Sequence, residues 1–251
     1  MDRNPVVWIV MPAYNAEKTI ERTYHDLPQG HFDHVLCVDD ASRDKTVEKA
    51  RSLGIEVTVH PRNRGYGGNQ KTCYRTALDR GADIVVMVHP DHQYDPRMIP
   101  DLLAPLKEGR ADAAFGSRML GGRFNEGGMP KWKFVANVAL TAIFNITCCV
   151  YLTEIHSGFR AYTRKYLEAI RMDENSDDFI FDTEIILQGI QAGMRFVEIP
   201  IETRYFDEAS QINFQRSVKY GLNILWRLLR FSMHRIGVAT DRHFAPANGS
   251  I

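Results

Sequence analysis

Surplus charge is the first thing missing from this chain: 31 basic residues meet 31 acidic ones in 251, so the formal net charge is zero. No global field recruits nucleic acid, and a polyanionic partner needs a local basic patch. Cysteine is scarce, with only Cys37, Cys73, Cys148 and Cys149, and no C-x-x-C pair is present for zinc or redox chemistry. Cys148 and Cys149 are adjacent and unsuited to bridging each other. No secretory leader is read ahead of them, so reduced thiols in the cytosol are the expectation. Long apolar runs are missing too, since a membrane span needs about 18 residues or more. The longest candidate, 134–152, is interrupted by Asn137, Thr141, Asn145 and Thr147, which predicts a buried helix. There is no internal repeat, no G-x-x-x-x-G-K-[ST] phosphate loop and no G-x-G-x-x-G dinucleotide loop.

What is present is rhythm. Apolar runs at 6–15, 34–42, 55–60, 82–89 and 111–118 read as buried strands, and amphipathic segments between them read as helices. Ser42 is the expected N-cap and Gly54 the expected C-cap of the second helix. Asp95-Pro96 reads as the start of the helix after the fourth strand. This alternation predicts an α/β fold, a mostly parallel sheet with helices on both faces. Ligands of such sheets bind beyond the carboxyl ends of the strands. Polar residues gather there: Pro12 to Asn15, Asp39 and Asp40, Arg62 to Gly68, Asp91 to Gln93, Ser117 and Arg118.

The expected organisation is a nucleotide-binding half over 1–118 and an acceptor half over 119–210. An amphipathic helix over 211–240 and a frayed tail over 241–251 follow. In that helix Arg216, Lys219, Asn223, Arg227, Arg230 and His234 recur at steps of three and four, opposite Val218, Leu222, Leu225, Leu229 and Ile236. The pattern fits an interfacial helix at a lipid surface, a core helix with a basic edge, or a docking element for a membrane partner.

Asp39 and Asp40 end a strand, where carboxylates hold ribose hydroxyls, a base edge or a metal, or else cap a helix. The Gly65, Gly67, Gly68 segment reads as a loop feeding a helix, either an ordinary turn or one that carries Asn63, Arg64 and Lys71 toward a nucleotide. In "HPDHQYDP", His89, Asp91 and Gln93 alternate and share one side of an extended loop. Asp91 beside a diphosphate suits Mg²⁺ or Mn²⁺, and a histidine ligand tilts the choice toward Mn²⁺. A neutral His89 hydrogen-bonded at the strand end is the preferred reading of that residue.

The ordered set "PAYN", "VDDAS", "NRGYGGN", a D-x-Q loop, "GSR" and "SGFRAY" resembles the glycosyltransferase family 2 pattern over residues 5–210. Within it, the chain is most similar to dolichol- and polyprenol-phosphate sugar synthases. The resemblance implies a GT-A fold, Mg²⁺ or Mn²⁺, and inversion by one in-line displacement. It implies donor contacts at Pro12, Tyr14, Glu17, Asp39, Asp40, Gly67, Lys71, Asp91, Gln93 and Arg118, with metal on Asp91 and Gln93. Acceptor-phosphate contacts follow at Lys131, Ser157, Arg160 and Arg204. The sequence departs from the family where His89 stands for a common Asp, Tyr94 for a common His, and Glu154 and His156 precede the Ser-Gly-Phe-Arg run.

The expected activity moves a hexose from a GDP- or UDP-linked sugar to a polyprenyl phosphate. Its expected place is the cytoplasmic face of a membrane, against the lipid or a small membrane protein, building cell envelope glycan and not touching nucleic acid. A hydroxyl acceptor would need a general base, for which Asp182 is the candidate; with a phosphate acceptor, Asp182 and Glu184 orient Arg160 or Arg204 instead. A nucleotide-sugar-binding protein without catalysis is the reading from another class.

Overall fold

The computed structural model describes residues 3–120, 130–203 and 214–245. The expected apolar runs form β1 (Val7–Ala13), β2 (His34–Asp39), β3 (Glu56–Val59), β4 (Ile84–Met87) and β5 (Ala113–Ser117). The chain adds β6 (Arg160–Thr163) and β7 (Phe196–Pro200), giving one sheet in the order β3-β2-β1-β4-β6-β5-β7. All pairings are parallel except those of β6, which runs antiparallel between β4 and β5. Strands from before and after residue 119 therefore share one sheet.

Helices cover both faces, because the strands are apolar on both. Val7, Ile9 and Met11 point into one core with Ile20 of α1 (Ile20–His25), Ala50 of α2 (Thr46–Ser52) and Leu102 of α4 (Ile99–Lys107). Trp8 and Val10 point into the other, with Tyr74 of α3 (Gly65–Asp79), Phe144 of α5 (Lys131–Cys148), Ile185 of α7 (Phe181–Gln191) and Phe231 of α8 (Phe214–Arg235). The two-residue alternation of side chains along a strand accounts for this partition. A short α6 (Arg164–Ala169) follows β6. As expected, Asp95 caps the turn at Pro96–Met98, accepting from the Arg97 amide, and Gly54 follows α2 at φ +76°.

Ser42 is not the cap of α2, which begins later, at Thr46; the Ser42 hydroxyl accepts from the Asn15 amide. The Gly-rich segment is not a loop but the first turn of α3. Its glycines are required by close approach: a Cβ at Gly67 would stand 2.3 Å from Ser176 O and 2.8 Å from Phe181 Cβ. The Gly67 amide donates to Asp177 O at 2.8 Å, so the chain near 177 seats directly on the helix start. Gly67→Ala must push backbone apart, and overpacking costs about 1–3 kcal/mol. A matching fall in stability is expected in urea titration.

Two further expectations change. α5 is not buried: only Thr141, Phe144 and Cys148 are, while Val135, Val138 and Ile146 lie exposed on the surface. Part of the tail folds back, with Phe244 buried against Phe231 at a ring separation of 5.0 Å and Asp241 pairing with Arg230. Residues 246–251 lie outside the described residues.

Candidate active site

The carboxyl ends of β1, β2, β4 and β5 open on one edge of the sheet. Non-glycine residues with positive φ follow three of these strands: Asn15 (52°), Ala41 (61°) and His92 (57°). Such strain concentrates where the surrounding structure must hold a functional geometry. Here the loops latch to each other. The Asn15 amide donates to Ser42 Oγ, Asn15 Oδ1 accepts from the Arg43 amide, and Glu17 Oε2 accepts from the Lys45 amide. Behind them Asn69 Nδ2 donates to Val38 O, tying α3 to β2. Pro12 ends β1 half-buried, and Tyr14 stands 51% exposed over the opening.

Asp39 and Asp40 divide their labour. Asp39 is buried; its Oδ2 accepts from the Ser42 amide while Oδ1 is sealed from solvent with no partner. A buried carboxylate oxygen without a donor is costly. Asp40 is committed elsewhere. Its carboxylate accepts from the Arg64 and Gly65 amides at the start of α3 and pairs with His60 Nδ1 at 2.7 Å. The Gly67 amide is taken by Asp177 O, and Lys71 Nζ by Asn175 O and the Asp177 carboxylate.

The loop after β4 carries His89, Asp91 and Gln93. Asp91 Oδ1 accepts from the Gln93 amide at 3.1 Å, and Oδ2 has no partner among the described residues. His89 packs against Gly158, where a Cβ would stand 2.7 Å from Nε2, so the glycine of the Ser-Gly-Phe-Arg run makes room for the ring. Burial lowers the His89 pKa against the opposing pull of Asp91 and Asp182, leaving the ring neutral. Tyr66 stacks on it at 5.4 Å and donates its hydroxyl to Asp182 Oδ2 at 2.7 Å. Burial, then the Asp182 charge, hold that phenol well above its ordinary pKa, so it keeps its proton. Tyr66 carried no signal in the sequence beyond its place between glycines.

Asp182 is nearly buried and also accepts from Gln70 Nε2 at 3.2 Å, with Arg160 3.7 Å away. Each of its oxygens thus accepts a hydrogen bond. Glu184 is buried as well, between the Ser176 amide and Arg227, so neither acid faces solvent. Arg160 is an interior strut: it donates to Ser157 O, Ile155 O and Asp182 O and lies over the Phe115 ring. Ser157 is buried, its hydroxyl accepting from the Phe159 amide.

Arg118 follows β5 directly and pairs with Glu154, which accepts from its amide at 2.8 Å and from its guanidinium. Burial raises the Glu154 pKa, but Arg118 outweighs burial and holds the carboxyl below its usual range. Lys133, at the start of α5, lies close enough for burial and then Arg118 to lower its pKa. Lys131 begins the same helix, exposed. His156 meets Tyr220 of α8 at 3.4 Å, and burial pushes its pKa down to about 4. Arg204 lies outside the described residues.

Among the described residues no three His, Cys, Asp or Glu side chains converge on a cation position. The donor set His89, Asp91 and Gln93 still fits a divalent ion, because Mg²⁺-type sites take one or two protein ligands and complete the shell with phosphate and water.

Residues 8–171 match the family model described as Glycosyl transferase family 2. The UDP-N-acetylglucosamine–dolichyl-phosphate N-acetylglucosaminyltransferase of Methanococcus voltae is 26% identical over 248 residues, covering 92% of this chain and 98% of that protein. The undecaprenyl-phosphate mannosyltransferase of Micrococcus luteus is 31% identical over 208 residues, covering 78% of this chain and 82% of its own. Among solved structures, glucosyl-3-phosphoglycerate synthase from Mycobacterium tuberculosis, with Mn²⁺, UDP and phosphoglyceric acid, aligns at a TM-score of 0.68. It is 20% identical and covers 91% of this chain and 78% of that one, a likeness of fold that makes this a GT-A architecture.

Proposed function

Since the chain belongs to glycosyl transferase family 2, we propose that it transfers a hexose, with inversion, from a nucleoside-diphosphate sugar to a polyprenyl phosphate at a membrane surface. The observation that carries the acceptor is the outer face of α5 and α8. Neither helix contains an Asp or Glu, and together they hold Lys131, Lys133, Arg216, Lys219, Arg227, Arg230 and Arg235. Trp132, Val135, Val138 and Ile146 are exposed on α5, and Val218, Leu222, Leu225, Trp226 and Leu229 on α8. The helices touch, with Gly221 facing Leu140. Apolar side chains flanked by cations are the chemistry of an interfacial surface on anionic lipid. No described helix is long and apolar enough to cross a membrane.

That face adjoins the site. Tyr220 of α8 contacts His156, and Lys133 of α5 lies near Arg118. A lipid phosphate is already ionised near neutral pH and needs positioning cations, not a base, which agrees with the commitment of Asp182 to Tyr66, Gln70 and Arg160. Arg118, held by Glu154, and Lys131 and Lys133 are the cations this edge offers. On the donor side, Asp39 Oδ1 accepts from the nucleoside and Tyr14 lies over it. Asp91 and Gln93 would hold Mg²⁺ or Mn²⁺, and the ion would supply Lewis-acid stabilisation to the leaving diphosphate. The Micrococcus luteus and Methanococcus voltae relatives, named for undecaprenyl and dolichyl phosphate, support the same acceptor class.

Incubation with GDP- and UDP-linked hexoses, a polyprenyl phosphate and Mg²⁺ or Mn²⁺ should give a lipid-linked sugar extractable into organic solvent, with anomeric configuration opposite to the donor's. Transfer to a water-soluble hydroxyl or to phosphoglycerate, and none to lipid, would sink the proposal.

A further inference from the structure

The His89 ring has one nitrogen accounted for and one open. Nε2 lies 3.3 Å from the Tyr66 hydroxyl. That hydroxyl has a single proton, and it is spent on Asp182 Oδ2 at 2.7 Å, because a carboxylate held by Arg160 and Gln70 can only accept. The Tyr66 oxygen must therefore be the acceptor toward His89, and Nε2 must carry the hydrogen. A neutral imidazole has only one N–H, so Nδ1 is a bare lone pair. The described residues offer Nδ1 no hydrogen-bond partner. The ring cannot turn freely, packed as it is between Tyr66 and Gly158. Two residues on, in the same loop, stands Asp91 with its own unpartnered Oδ2.

The geometry points to a relay, Asp182 to Tyr66 to His89, that fixes the tautomer of His89 so that Nδ1 serves as a nitrogen ligand to the divalent cation beside Asp91. This rests on the metal–diphosphate reading above and deepens it. A histidine ligand characteristically donates its other N–H to a partner that orients it. In this chain the partner is a phenol, itself oriented by a buried carboxylate. Asp182 and Tyr66 are then positioning residues, acting through His89. The consequence is selectivity, since an imidazole in place of a carboxylate favours Mn²⁺ over Mg²⁺. It also explains why neutral His89 is not a defect: the lone pair replaces one carboxylate ligand.

The full chain is loaded with Mn²⁺ and either UDP or GDP, and pulsed electron paramagnetic resonance reads nitrogen coupled to the metal. The expected result is a ¹⁴N modulation that becomes a ¹⁵N signal on labelling only the histidines, an observation that needs no variant. His89→Asp should remove it and lower the Mn²⁺-over-Mg²⁺ preference. Tyr66→Phe keeps the ring stack and deletes only the hydroxyl. It should weaken Mn²⁺ binding by about 10–100-fold, as loss of an orienting partner does, while Mg²⁺ binding changes less. Mn²⁺ and nucleotide bound without histidine nitrogen coupling overturns the relay and leaves the donor site standing. Failure of either nucleotide to bind with either cation instead removes the donor reading itself.

Discussion

Asp91→Ala is expected to lower sugar transfer by about 10³-fold or more while leaving the unfolding midpoint almost unmoved. The two halves of that expectation have separate physical grounds. Asp91 contributes little to the fold: among the described residues its side chain makes one hydrogen bond, to the Gln93 amide within its own loop. Losing such a contact at a half-buried site changes stability by about 0.5 kcal/mol or less. Its place in the chemistry is much larger. In the proposed reaction the departing diphosphate gains negative charge, and a carboxylate that anchored the cation would be worth several kcal/mol of barrier, at about 1.4 kcal/mol per tenfold. Asp95→Ala is the companion control, because Asp95 caps the next turn and pairs with Arg97 without pointing to donor chemistry. It should cost stability and spare kcat. Undiminished transfer by Asp91→Ala at saturating Mg²⁺ or Mn²⁺ would remove the loop from the mechanism.

Why the edge of the sheet was legible beforehand, and its depth was not, is a matter of sequence separation. Strands such as "VVWIVMPA" declare themselves because both faces are buried and every position is apolar. Parallel order then places Asp39, Asp91 and Arg118 on one rim without knowledge of any contact. The polar contacts that no local pattern announces are those whose partners lie far along the chain. Asp40 meets the start of α3 after 24 residues, and Asp182 meets Tyr66 across 116. Arg160 looked like a phosphate ligand by motif alone, yet it sits among backbone carbonyls that only the folded chain brings together. The glycines at 65, 67 and 68 show the same thing. Composition cannot distinguish a glycine that bends a loop from one that admits a neighbouring backbone, and here Asp177 is the neighbour. The reversed direction of β6 followed from no local pattern either, because a short run between two helices pairs equally well in both senses until its neighbours are fixed.

The second large effect concerns α5 and α8. The amphipathic pattern of α8 was visible in its periodicity, but its cations do not all face outward. Arg227 reaches the buried Glu184 at 2.5 Å, and Arg230 pairs with Asp241. Ile224, Leu228 and Phe231 fill the core, while Val218, Leu222, Leu225 and Leu229 form the outer stripe at steps of three and four. The double substitution Leu222→Glu with Leu229→Glu should therefore leave the core intact and abolish flotation with anionic liposomes. Burying each leucine in lipid is worth about 1.5–3 kcal/mol, so removing two weakens partitioning by about a hundredfold or more. Exposed Lys131, Arg216 and Lys219 add an electrostatic share of about 1 kcal/mol each at an anionic surface. Wild-type binding should accordingly weaken as salt rises, whereas the double variant should fail at every salt concentration. Transfer to a short, detergent-dispersed polyprenyl phosphate should survive the substitutions, since the donor edge is untouched. Loss of that soluble activity together with flotation would mean that the stripe supports the fold. Wild-type protein that ignores bare liposomes yet sediments with native membranes would give the stripe to a protein partner instead of to lipid.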